Sequence, residues 1–176
     1  MSFVDTQKAF LTADRKMGNV TVGSDAVMVI SGHELLTFNV KTHSLPMMKN
    51  NEFVEYSTTH GVKTYNEGYL QSYNQIPVTF MERDSLIVKT MLEKIQLSGE
   101  DNMNLTVHFF VGKEVIKTRY WGSLQFASVG LDDAPDADAE SSTTPMMITA
   151  NIVGHYTPSL VTEAMAVFDT MMNLTK

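Results

Sequence analysis

"IPVTFMERDSLIVKTMLEKI", residues 76–95, changes its hydrophobic period halfway along. In the first part, Ile76, Val78 and Phe80 alternate with Pro77, Thr79 and Met81, the period of two that marks a strand with one buried face. Pro77 removes a ladder donor, which puts this strand at a sheet edge or starts it there. Further on, Ile87, Val88, Met91, Leu92 and Ile95 recur at helical spacing, and Lys89, Thr90, Glu93, Lys94 and Gln96 occupy the other face. Asp84 is the candidate N-cap and Gly99 the stop, so a helix is expected over 84–97.

Strands flank this unit on both sides. Downstream, "MNLTVHFFV" (103–111) alternates, with Leu105, Val107, Phe109 and Val111 on one side. Gly112-Lys113 is a turn candidate, and "EVIKTRYWGSLQFASV" (114–129) is the return strand, bulged or kinked at Gly122. "PMMITANIVGHYT" (145–157) is a further strand, with Ile148, Ala150 and Ile152 facing one way. Thr157-Pro158 then caps a helix over 159–173 whose stripe is Val161, Ala164, Phe168, Met171 and Met172. Upstream, residues 2–16 read as a short helix capped by Ser2. "VTVGSDAVMVIS" (20–31) is β-rich with an internal turn at Gly23, and "ELLTFNVKTH" (34–43) puts Leu36, Phe38 and Val40 on one face. Gly32-His33 between them suggests a tight hairpin. Hairpins interrupted by one central helix make an α+β, mainly β, class.

Two stretches break the pattern. Residues 44–74 are long, mixed and weakly periodic, and they carry the apolar residues Leu45, Pro46, Met47, Met48, Phe53, Val54, Tyr56, Tyr65, Tyr69, Leu70 and Tyr73. Tyr and Met are enriched at protein–protein contacts. A loop of this length inside a compact domain is functional or braced by something else. "GLDDAPDADAESST" (130–143) has five carboxylates, Asp132, Asp133, Asp136, Asp138 and Glu140, and no basic residue. The strand after it has no core of its own, so the stretch reads as a solvated hairpin loop and not as a domain linker.

The chain has 176 residues, 43% of them hydrophobic, which suits one domain with a full core. Its first residues lack a basic region followed by an apolar one, so no secretory signal is expected, and no apolar run approaches a membrane span. With no cysteine there are no disulfides and no thiolate zinc site. The glycosylation-type triplets at Asn19, Asn104 and Asn173 read as chance matches. Thirteen methionines read mostly as core filler. A net charge of −7 argues against a duplex-binding surface, which neutralises phosphates with Lys and Arg.

Catalytic signatures are missing. His33-Glu34 begins a zincin motif, but position 37 is Thr. No Gly-x-Ser-x-Gly elbow and no phosphate-cradling loop is present. The acidic stretch lacks the Gly and Glu positions of an EF-hand loop. His108 and His155, on different strands, are the residues around which a scattered enzymatic or ligand site would gather. No catalytic residue, cofactor or metal is assigned.

The order of these features resembles the tail tube proteins of long-tailed bacteriophages, most of all those of contractile tails. The markers are "FNVKTHSLP", "EFVEYSTTHGVKTY", "IPVTFMERDS" running into "LIVKTMLEKI", the hairpin "LTVHFFVGKEVIKTRYWG", and the final strand "ITANIVGHYTP". The resemblance covers about residues 20–157. It implies two packed antiparallel sheets, sandwich- or barrel-like, with a central flanking helix and terminal helices. It also implies a non-enzymatic virion subunit, made in the host cytoplasm, that forms six-fold rings stacked into a channel for DNA ejection. The arm at 44–74 would reach a neighbouring subunit, with Leu45, Pro46, Met47, Met48, Phe53, Tyr56, Tyr65, Tyr69 and Tyr73 as contact candidates. Sheath, baseplate and tape-measure proteins are further partners on this reading, and no membrane is involved. The lumen would be acidic, lined either by the face with Thr149, Asn151 and Thr157 or by that with Thr106 and His108. The fold is shared with type VI secretion tubes. The helix after Pro158 exceeds the family's compact end, which keeps a baseplate tube initiator in view.

Overall fold

The computed structural model describes residues 26–50, 54–57, 63–66, 70–112, 120–133 and 145–174. The first expected helix, at 2–16, lies outside the described residues.

Six strands make one antiparallel sheet in the order β1-β8-β9-β10-β7-β2. They are β1 (Ala26–Ile30), β2 (Val40–His43), β7 (Tyr73–Met81), β8 (Leu105–Val111), β9 (Tyr120–Asp133) and β10 (Met147–Thr157). Four short strands lie between β2 and β7: β3 (Lys49–Asn50), β4 (Val54–Ser57), β5 (Lys63–Asn66) and β6 (Leu70–Gln71). Two helices follow in chain order, α1 (Ile87–Leu97) and α2 (Val161–Asn173).

The two packed sheets expected above are not present. Inward residues from the long strands meet in one core: Met28 and Ile30 of β1, Val107 and Phe109 of β8, Leu124 and Val129 of β9, Ile148 and Ile152 of β10, Val78 and Phe80 of β7. A single sheet reaches one common interior only by curling, so the architecture is a nearly closed barrel. Val88, Leu92 and Ile95 of α1 pack into the same core. Leu36, from a 3₁₀ turn at Glu34–Asn39, joins them and bridges the chain from β1 to β2. That turn replaces the first part of the strand expected at 34–43 and the tight hairpin expected at Gly32-His33, and the rest of that strand is β2. β1 pairs with β8 and β2 with β7, so they lie at opposite ends of the sheet order. β7 is likewise an interior strand. Pro77 is tolerated there because the β2 ladder ends at Val78, one residue short of it.

The "MERDS" stretch between β7 and α1 has a definite role. The Glu82 carboxylate accepts hydrogen bonds from the backbone N–H groups of Val88 (3.1 Å) and Lys89 (2.7 Å), so it satisfies the free donors of the helix N-terminus. Glu82, and not the expected Asp84, is the functional cap. Its neighbour Arg83 donates through Nε to Asn39 Oδ1 (2.5 Å), which ties the 3₁₀ turn to the same junction.

A second apolar cluster sits outside the barrel, where Val29 of β1 and Phe110 of β8 are covered by Ala164, Phe168 and Met171 of α2. This explains why "MVI" and "HFFV" are apolar on both faces. α2 starts at Val161, later than expected, because Thr157 still belongs to β10 and donates its hydroxyl to Gln125 Oε1 (3.0 Å). Val161 is correspondingly exposed, outside the buried stripe.

The irregularity expected at Gly122 is present, since the β8–β9 register shifts between Phe109↔Gly122 and Phe110↔Tyr120. Its cause is packing. A Cβ on Gly122 would lie 2.3 Å from the Tyr156 ring, whose hydroxyl donates to the Trp121 carbonyl (3.0 Å). Gly122→Ala should therefore cost about 1–3 kcal/mol, as overpacked cores do. In urea titrations, adding Tyr156→Ala should recover part of that loss. Strictly additive effects would dismiss the contact.

Candidate assembly surfaces

The 44–74 arm is a hairpin continuing out of the barrel. β3 pairs with β6, and β4 with β5, all antiparallel. From Asn50↔Leu70 to Val54↔Asn66 the numbering advances 50 to 54 on one side and falls 70 to 66 on the other. Both ribbons thus share one register. The β2–β7 pairs nearest the arm, Thr42↔Thr79 and His43↔Val78, are offset from that register by one residue, after an irregularity between Val40 and Thr42. β4 and β5 make no substantial contact with any other described element.

The base of the arm is fastened to the barrel. Leu45 packs against the core and Pro46 is buried, its carbonyl accepting from Trp121 Nε1 (2.7 Å). The Met47 N–H donates to Asn74 Oδ1 (3.3 Å), and Asn74 Nδ2 donates to the Ser72 carbonyl (2.8 Å). Of the expected contact residues, Leu45 and Pro46 thus anchor the arm from inside, and Met47, Met48 and Tyr73 are exposed. Tyr56 and Tyr65 lie on β4 and β5. Phe53 and Tyr69 fall outside the described residues.

The acidic stretch begins inside β9. Asp132 accepts from Asn151 Nδ2 (2.5 Å), and Asp133 pairs with Thr149 of β10. β9 and β10 are adjacent antiparallel strands. Asp136, Asp138 and Glu140 lie outside the described residues.

Among the described residues, no element covers the outer face of β7, β10 and β9. Its cross-strand rows are Gln75–Val153–Ser128, Pro77–Asn151–Gly130 and Thr79–Thr149–Asp133. The face is rich in hydroxyl and amide groups, and none of these residues is basic. The Asp132 carboxylate lies at one end of it, bonded to Asn151. Next to this face, Phe126 is 68% exposed at φ 49°, on a bulge where β9 is out of step with both neighbours. Gly154 faces this bulge, since a Cβ there would lie 3.1 Å from Ala127 and from the Gln125 carbonyl oxygen. A positive φ at a non-glycine residue costs about 1–3 kcal/mol and tends to mark functional sites. No periodic signal in the sequence predicted it.

The opposite flank, with His108, is sealed. His108 is 1% exposed, and Ser123 Oγ lies 2.6 Å from both His108 Nδ1 and Tyr120 Oη. A serine beside a histidine is the geometry of an activated nucleophile. Here both side chains are buried. His155 is exposed on β10, bonded to Ser72 Oγ (3.2 Å), so the two histidines do not meet. Among the described residues, no three His, Asp or Glu side chains cluster to hold a metal, and no helix is long and apolar enough to cross a membrane.

A nearly closed six-stranded barrel, capped by a helix and bearing a long hairpin, is a fold found in contractile injection machines. The chain is similar to the tube-terminating cap of the anti-feeding prophage, with a TM-score of 0.58 and 12% identity over 78% of this chain and 88% of that one. It is similar to a chain of the PVC extracellular contractile injection system, solved as a sheath–tube complex in the extended state (TM-score 0.58, 12% identity, 81% and 93% covered). A third similarity is to the same system's sheath/tube terminator (0.56, 14%, 77% and 93%). Comparison of the sequence with protein-family models gives no match, and comparison with curated proteins gives none either.

Burial pushes the His108 pKa down to about 4. Between that value and about 6.5 the unfolded chain binds more protons than the folded one, so stability falls as pH drops through this window. His108→Gln should flatten this dependence: lowering the pH from 7 to 5 should reduce Tm less than in the parent chain. Equal losses in both proteins would mean that His108 does not titrate this way.

Proposed function

We propose that the protein is a structural subunit of a contractile tail or injection tube, assembling as a closed ring of identical copies. The observation that carries this reading is the 44–74 hairpin, anchored at its base and lacking any described partner for its outer half. A projecting arm supplies one half of a heterologous contact, and repetition of such a contact closes a ring when the rotation allows. Met47, Met48, Tyr73 and the strained Phe126 are the exposed apolar residues that such a contact would bury.

Within the ring, the uncovered face of β7, β10 and β9 lines the channel. The alternative face, with His108, is already occupied by α2. Neutral hydroxyls and amides without lysine or arginine bind no phosphates, so a polyanion such as DNA slides past without the friction of ion pairing. Passage therefore depends on the lack of cations more than on a wall of carboxylates. Stacking of rings, six-fold symmetry, a phage virion and DNA as the cargo follow from the tail-tube resemblance.

A terminating ring at the end of a tube is the second reading. It is favoured by the likeness to two terminator structures and by α2, which adds a layer to the outer surface. A type VI-like tube or a baseplate tube initiator belongs to the same class.

The arm separates assembly from folding. Asn50 and Leu70 are directly paired, so residues 51–69 can be replaced by Asn-Gly, which closes a two-residue hairpin. The shortened chain should keep the far-UV spectrum and a Tm within a few degrees of the parent, yet elute as a monomer where the parent forms rings in negative stain. Rings of unchanged size from the shortened chain would remove the arm from the interface.

A further inference from the structure

α2 is held to the barrel by a contact that is separate from the barrel core. Ala164, Phe168 and Met171 of α2 cover Val29 of β1 and Phe110 of β8, and none of these residues belongs to the interior cluster. The Phe110 and Phe168 rings lie 5.2 Å apart between centroids. The helix does little to hold itself. Leu160 at its N-cap offers no side-chain cap, its last turn has no basic residue, and Val161, Thr162, Val167 and Thr170 are β-branched. Thirteen residues of this kind are marginal as a free helix in water, so α2 is helical because it is docked. α1 differs, with the Glu82 carboxylate at its N-terminus and Val88, Leu92 and Ile95 in the barrel core.

The register places His108 under this cover. Val29 pairs with His108 and His108 with Ser123, so the three form one row across β1, β8 and β9 with their side chains on one face. That is the face α2 covers, since Val29 and Phe110 lie beneath it. An outward strand residue only 1% exposed has something over it, and α2 is the described element on that face. From His108 a chain of hydrogen bonds leads to the root of the helix. Ser123 Oγ lies 2.6 Å from His108 Nδ1 and 2.6 Å from Tyr120 Oη. The Tyr120 hydroxyl donates to the Thr157 carbonyl (3.4 Å) and takes a backbone hydrogen bond from Leu160, so it clips the stretch where β10 gives way to α2. Its ring packs edge-on against Phe110 (6.1 Å). The ionisable groups acting on Tyr120 are Tyr156 of β10 and Glu163 of α2. From β1 the residue opposite His108 is the apolar Val29, and burial is the cause of the low His108 pKa, with no neighbouring charge to offset a proton there.

We infer that α2 is a releasable lid on the outer face of β1 and β8, and that the His108–Ser123–Tyr120 chain is the proton-sensitive latch at its root. Release leaves the barrel standing, because the interior cluster contains no α2 residue. It also brings water to His108. Under the lid His108 titrates at about 4, and in water near its ordinary value of about 6.5. Opening is therefore linked to proton uptake: it is insensitive to pH above about 7 and becomes easier as pH falls from about 6.5 to about 4. Between pH 7 and pH 5 the two values raise the open-to-closed ratio about twentyfold. The motion belongs to the single chain, whether or not copies assemble into rings.

Hydrogen exchange on the full, unmodified chain from pH 7 to pH 5 reads the latch directly. After correction for intrinsic rates, amides of residues 164–173 should open about twentyfold more at pH 5, while Val78 and Ile152 of the barrel exchange far more slowly at both pH values. Opening of α2 only together with those barrel amides would overturn the lid, and α2 opening that ignores pH would overturn the latch. His108→Gln keeps a hydrogen-bonding group beside Ser123 but nothing that titrates, so its α2 amides should show no such rise. A rise equal to the parent's would remove His108 from the device. Tyr120→Phe keeps the ring against Phe110 and deletes the clip. Its α2 should open about fivefold more at pH 7, the loss of one net hydrogen bond. Unchanged opening would show that the root of the helix is not held through Tyr120.

Discussion

The constraint on which the structure depends is that the long strands share one interior. Phe80, Phe109, Leu124 and Ile152 come from four different strands, and all are fully buried in the same cluster. No flat sheet brings those side chains together. The curl it imposes sets the rest. It leaves one end to be stopped by α1, whose position is held by the Glu82 carboxylate at its N-terminus, and it forces irregularities where strands bend. The bulge that exposes Phe126, with Gly154 making room for it, is one of these.

The same curl divides the outer surface into two unlike halves. Over β1 and β8 the outward residues include the apolar Val29 and Phe110, which α2 covers. Over β7 and β10 they are Gln75, Thr79, Thr149 and Asn151, which need no cover. A surface of small polar groups without cations is suited to a polymer moving past it, and the covered half is not. The arm's two ribbons share one register, and the β2–β7 pairs nearest the arm, Thr42↔Thr79 and His43↔Val78, are offset from it by one residue.

Much of this was legible in the sequence where one residue pattern had one meaning. The alternation at 76–81 and the helical stripe at 87–95 each match a single period, and both elements stand where expected. "ELLTFN" misled because Leu36 and Phe38 alternate like a strand, whereas a 3₁₀ turn places Leu36 inward and leaves Phe38 exposed. Asp84 was the nearest capping residue by spacing, but the longer Glu82 side chain, just after the strand, reaches forward to the Val88 and Lys89 amides. The number of sheets was not legible at all, because an alternating strand has the same pattern whether its sheet stays flat or curls. For the assembly surfaces, composition pointed to 44–74. The common register of its two ribbons and the exposed Phe126 depend on pairing, which local sequence does not encode.

The most direct test of the central claim is the radial position of the uncovered face in an assembled particle. A cryo-EM reconstruction of rings formed by the purified chain should place Gln75, Pro77, Thr149 and Asn151 at the smallest radius, around an open channel, with α2 at a larger one. A chain that remains monomeric at high concentration, or a ring with this face turned outward, would contradict the account.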